Sequence, residues 1–126
     1  MAIKIGYIGE ELNITLRQGA DYEAQFTLTD STGAPIDLTG RVYTAIMRKT
    51  PKSSAITASF VCALTNPTGG VFTMSMSNAV TATIPAGDTL DAQESQYVWE
   101  MEMLGADNKI YPVYYGKVSV FRQITR

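Results

Sequence analysis

The side chains with most chemical reach in this chain of 126 residues are paired carboxylates, Glu100 and Glu102 in "YVWEMEML" and Asp88 and Asp91 in "GDTLDAQE". Two neighbouring acids can divide proton donation and acceptance between them, as in glycoside cleavage. Glu100 and Glu102, however, stand two apart in a strand-like run and so share one face. A solvated face, alternating with inward Trp99, Met101 and Met103, accounts for them better than an acid/base pair. Asp88 and Asp91 flank Leu90 in a turn-like stretch, where a calcium loop would need a denser run of oxygen ligands.

Histidine is absent. That removes the commonest general base at neutral pH, the commonest metal ligand, and the Ser-His and Cys-His nucleophile pairs. Glycine-rich "TGG" and "GYIG" lack both the spacing of a phosphate loop and a helix for it to open. "NIT" at residues 13 to 15 matches a glycosylation sequon, but with no secretion signal it reads as chance on a strand. No catalytic residue, no cofactor and no metal is expected. Of the seven tyrosines, Tyr97, Tyr111, Tyr114 and Tyr115 would form a sugar-binding platform if they shared a face; core and subunit contact are the competing uses.

Length and composition bound the rest. The size suits one domain with a real core. At 45% hydrophobic and 17% charged residues the chain has the apolar content of a folding domain, unlike a disordered tail. A net charge of -2, with no basic stripe, argues against nucleic acid. No stretch approaches the roughly 18 apolar residues that span a bilayer, and "MAIKIGYIGEEL" is too broken for a signal peptide, so no membrane is expected and the chain reads as soluble. The single cysteine, Cys62, excludes an intrachain disulfide and, within "ITASFVCAL", reads as a reduced, buried thiol made in the cytoplasm.

The apolar residues alternate. Ile14 and Leu16, then Phe26 and Leu28, mark two strands, and the turn residues of "TDSTGAP" after them form a hairpin connection. "PIDL" reads as a short edge strand with Ile36 and Leu38 inward, because Pro35 lacks a ladder donor. After Thr39-Gly40 comes "RVYTAIMRK", with Val42, Thr44 and Ile46 on one face and Tyr43, Ala45 and Met47 on the other. Both faces are largely uncharged, which suggests a strand covered on one side by the core and on the other by a partner. "AITASFVCAL" places Ile56, Ala58, Phe60, Cys62 and Leu64 together. "TNPTGG" turns into a strand with Phe72, Met74 and Met76 on one face, and "NAVTATIPAG" allows a helical turn capped by Asn78. "GADNK" turns the Trp99 strand into "IYPVYYGKVSVFRQITR", bent near Pro112 or Gly116. The fold class expected is all-β: an antiparallel, immunoglobulin-like β-sandwich of seven to eight strands.

Residues 11-126 form the sandwich domain, and residues 1-10 are an N-terminal arm or its first strand. Ten extended residues reach roughly 33 Å, against an expected radius of gyration of roughly 14 Å. An arm could therefore touch a neighbouring subunit.

The order of these segments, above all "QGADYEAQFTL", "PIDLTGRVYTAIMRK" and "GKVSVFRQITR", resembles small tailed-bacteriophage proteins: the N-terminal domain of upper baseplate proteins and other adaptor domains of tails and fibres. The likeness runs from about Ile14 to Arg126. It implies a non-catalytic virion structural protein, assembling with other virion proteins and as a homo-oligomer. In such proteins the domain anchors a longer receptor-binding chain; here the sequence stops after the last strand, which points to a stand-alone tail, baseplate or fibre adaptor, or alternatively a capsid decoration or head-fibre anchor protein. A carbohydrate-binding module, and a small enzyme or lysis accessory, are the rival classes. The interface expected comprises Tyr43, Ala45 and Met47 with Ile3, Ile5, Tyr7 and Ile8 of the arm.

Overall fold

The computed structural model describes residues 10-30, 32-86, 94-105 and 107-123. Among these are eight strands: β1 (Glu10–Glu11), β2 (Ile14–Arg17), β3 (Tyr22–Thr27), β4 (Val42–Arg48), β5 (Ala58–Asn66), β6 (Val71–Met76), β7 (Glu94–Leu104) and β8 (Ile110–Phe121). One helical turn, α1 (Asn78–Thr81), and a 3-10 turn at Pro67–Gly69 complete the described elements.

Strand β8 pairs with β7, β7 with β4, and β4 with the start of β5. On the other side β3 pairs with β6, and β6 with the remainder of β5. These are the C-F-G and B-E-D neighbour sets of an immunoglobulin-like fold. Strand β5 serves both, with Ala58–Phe60 against β4 and Val61–Asn66 against β6. Aromatic rings from the two sides meet in the core: Phe26 lies 5.2 Å from Tyr114, and Phe72 stacks on Tyr43 at 5.2 Å.

Period-two patterning builds this core. Phe72, Met74 and Met76 are buried from β6, and Trp99, Met101 and Met103 from β7, while Glu100 and Glu102 point out. Each such large side chain contributes about 1.5–3 kcal/mol through the apolar area it removes from water. Near the start of β7, the buried Tyr97 donates its hydroxyl hydrogen to Pro85 O at 2.5 Å, the tyrosine corner that ties this strand to the loop before it. Beside it, Thr81 accepts from Gly19 N at 3.1 Å and donates to Ala20 O at 2.9 Å, fastening α1 to the β2–β3 turn.

The all-β expectation of seven to eight strands holds, with three corrections of detail. First, the sheet is mixed: β1 and β2 run parallel to β8, pairing Glu10 with Tyr114 and Ile14 with Val118. The first and last strands share no hairpin, so no turn dictates their relative direction. Second, "PIDL" is no strand. Only Thr29 bridges Pro35, and Leu38 reaches full burial by a crossing path in which its N–H donates to Pro67 O at 2.8 Å. Third, α1 is capped by Ser77, whose Oγ accepts from Val80 N at 3.4 Å, one residue before the expected Asn78. The bend expected in β8 is a bulge: Met101 faces Tyr114 but Glu102 faces Pro112, leaving Val113 as the additional residue.

The seam between β1 and β2 is built with care. The Leu12 N–H still donates to Tyr115 O at 2.8 Å, but past it side chains take over from the ladder: Trp99 Nε1 donates to Leu12 O at 2.7 Å, and Asn13 Oδ1 accepts from Lys117 N at 3.0 Å. Gly116 makes this possible, since a Cβ there would lie 2.2 Å from Leu12 O.

Candidate assembly surfaces

The interface expected on β4 is corrected by the parity of the strand. Ala45 sits opposite Met101 and Phe60, and Met47 opposite Trp99 and Ala58. All six of these residues are core, with Ala45 2% and Met47 0% exposed, so neither can meet another subunit. Tyr43 lies on the same face, its ring stacked on Phe72, and burial first of all pushes its phenol up to about 12. Its Oη is a buried polar atom without a hydrogen-bond partner among the described residues. The outward residues of β4 are instead Val42, Thr44 and Ile46. Ile3, Ile5, Tyr7 and Ile8 of the arm lie outside the described residues, as do Asp88 and Asp91.

The tyrosines do not share a face. Tyr97 and Tyr114 are buried. Tyr111 packs against the core and donates its hydroxyl hydrogen to the Asp107 carboxylate, while Tyr115 sits opposite Glu100 on β7. A flat stacking platform for a sugar is therefore not assembled from these four residues. Cys62 is free and half-buried, its thiol pushed up to about 11 by burial. Its predicted companions Ile56 and Leu64 are exposed. Desolvation, and then the neighbouring Glu102, raise the Glu100 carboxyl above the usual range. The described residues include no group of three His, Cys, Asp or Glu side chains placed to hold a metal ion.

Three outward features remain. A groove of about 330 Å³ crosses the outer face of β4, β7 and β8, lined among others by Ile46, Arg48, Val98, Glu100 and Tyr115. Arg48 is held there by donating to Ser54 O at 2.9 Å. A crevice of about 320 Å³ opens between β2 and β3 beside Leu16, Arg17, Asp21, Tyr22 and Phe121. The third is the far half of β5, where Val61 is 63% exposed and Ala63, Leu64, Thr65 and Asn66 are all exposed. On its outer face Thr65 and Thr73 share a hydroxyl hydrogen bond of 2.8 Å.

No side chain from residue 53 to residue 87 carries a charge. This run was visible in the sequence, yet it marks β5 as a surface only once the strand is seen to leave β4 and expose an edge.

No family model matches the chain, and no curated protein matches it. Among solved structures, the zebrafish RET cadherin-like domains 1 to 4 align over 96% of this chain and 24% of that one, at 11% identity and a TM-score of 0.40. The chain thus spans about a quarter of the length of that structure.

Proposed function

We propose that this chain is a non-catalytic structural component of a tailed-phage virion, an adaptor in the tail, baseplate or fibre that works through protein–protein contacts with other virion proteins and with copies of itself. The observation that carries this reading is the uncharged outward surface of the β5–β6 region, in a chain without histidine. Exposed apolar strand surface of this kind is disfavoured in a solitary soluble domain and is covered in an assembled one. The resemblance in segment order to phage adaptor domains supports this kind of assembly and a virion setting for its partners. A capsid decoration or head-fibre anchor role is the alternative within the class.

The test is mass spectrometry of density-purified phage particles from cells that encode the chain. Its peptides are expected at a fixed ratio to the tail or baseplate proteins. A fixed ratio to the major capsid protein would select the head alternative, and loss of the chain during purification would refute the virion assignment.

A further inference from the structure

The outer face of the β4–β7–β8 sheet pairs an apolar row with two carboxylates. At one end Val42, Leu104 and Ile110 stand side by side across the three strands, with Val42 57% and Ile110 56% exposed. Glu102 lies in the next outward row, between Thr44 and Pro112, and Glu100 in the one after, between Ile46 and Tyr115. Among the described residues no lysine or arginine is paired with either acid: Arg48 of β4 donates instead to Ser53 O and Ser54 O, and Lys117 of β8 belongs to the row beyond, opposite Val98. The face thus asks for an occupant with apolar side chains and a cation close together.

The course of the chain identifies that occupant. Strand β1 runs parallel to β8 with Glu10 opposite Tyr114, so upstream of Glu10 the chain is directed back along β8 toward Ile110, the end that carries the apolar row. A ladder continued in that direction would meet the bulge residue Val113 and then Pro112, which has no N–H to give. The nine residues before Glu10, "MAIKIGYIG", lie outside the described ones; they contain Ile5, Tyr7 and Ile8 and a single charged side chain, Lys4. We propose that this segment leaves the edge at Glu10 and lies across the outer face of its own sheet, with Ile5, Tyr7 and Ile8 on the Val42–Leu104–Ile110 row and the Lys4 ammonium at Glu100 and Glu102.

The lengths agree. Lys4 is six residues from Glu10, a reach of roughly 20 Å when extended. Crossing two strand spacings of about 4.8 Å and rising about 10 Å above the sheet needs roughly 14 Å. The slack allows a turn, and Gly6 and Gly9 supply backbone that turns without a Cβ penalty. Attachment to the same chain selects this arm over that of a second copy, because a short tether holds it at an effective concentration of about millimolar. A partner that binds this face must first displace the arm. The docking does not depend on the virion setting above.

Methyl NMR of the full chain tests this. Nuclear Overhauser contacts are expected from Val42, Leu104 and Ile110 to Ile5, Tyr7 and Ile8, unchanged on tenfold dilution and missing between differently labelled copies in a mixed sample. Ile110→Asp and, separately, Lys4→Glu are expected to remove these contacts at low salt, whereas Val61→Lys, at an exposed position on β5, keeps them. The Glu100 carboxyl is expected to titrate at lower pH in the wild type than in Lys4→Gln, a difference that an apolar contact alone would not produce. A wild type without the contacts, contacts that run between copies and fade on dilution, contacts that survive both Ile110→Asp and Lys4→Glu, or a Glu100 titration indifferent to Lys4 would each overturn the proposal.

Discussion

The β1–β2 seam and the far half of β5 are both peripheral strand segments, and they solve opposite problems. At the seam, every interruption of the ladder is compensated by a specific side chain: Trp99 for the Leu12 carbonyl, Asn13 for the Lys117 amide, and a missing Cβ at Gly116 to let the backbones approach. Along β5 from Val61 to Leu64 the reverse holds, with small and β-branched side chains, no charge, and an edge without a strand partner among the described residues, until the register shifts between Leu64 and Asn66. The difference teaches that irregularity at an edge can be the protected state and regularity the available one.

Substitutions can break this contrast at the seam first. Gly116→Ala is expected to cost about 2–3 kcal/mol, because the added Cβ meets backbone with no flexible side chain to yield; urea unfolding measures it, and a loss below the error of the midpoint would mean that β1 and β2 can shift freely. Trp99→Phe keeps most of the ring's volume but leaves the Leu12 carbonyl unsatisfied, for an expected cost of about 1–2 kcal/mol. Val61→Lys on β5 is expected to change stability by no more than about 0.5 kcal/mol, since it alters an exposed position. The same denaturation series checks it, and a larger loss would show that Val61 is core in solution.

Alkaline titration sharpens the contrast further, because each region holds an acid with a raised pKa. Burial raises Cys62 on β5 to about 11, and burial followed by the Glu10 charge raises Tyr114 beneath β1 to about 12. In both cases the folded state holds the proton more tightly than the unfolded chain, whose values lie near 8.5 and 10. Their contribution to stability is therefore complete below about pH 8.5 and declines as the pH rises toward 11 and 12. Urea midpoints are expected to be level between neutrality and pH 8 and to fall above pH 9. Glu10→Gln is expected to lower the Tyr114 titration slightly, seen by ultraviolet absorbance, while leaving Cys62 alkylation unchanged.

Much of this fold was legible because the alternation is clean where one face is buried and the other wet, as at Phe72–Met76 and Trp99–Met103. The face of β4 was not legible, because Val42, Thr44 and Ile46 are as uncharged as Tyr43, Ala45 and Met47, and hydropathy alone cannot tell core from surface when both rows are apolar. Tyr111 and Tyr114 point inward together only because Val113 is an inserted residue, and a bulge shifts the parity without any signature in composition. Parallel docking of β1 and β2 on β8 was equally hidden, since it depends on pairing at a distance of about a hundred residues. The free edge on β5 needed the partner list of every strand before a charge-free run in the sequence could be recognised as a surface.

That distant pairing also sets a timetable for biosynthesis. Asn13 meets Lys117 across 104 residues, so a ribosome adding roughly 5–20 residues per second releases the last strand some 5–20 seconds after the first has been made. Until then Ile14, Leu16 and the indole of Trp99 wait without their final neighbours, and the hairpins of the middle of the chain must condense first. The step that completes this domain is the return of its beginning to its end, which leaves a nascent chain exposed to chaperones for longest at the segment translated earliest.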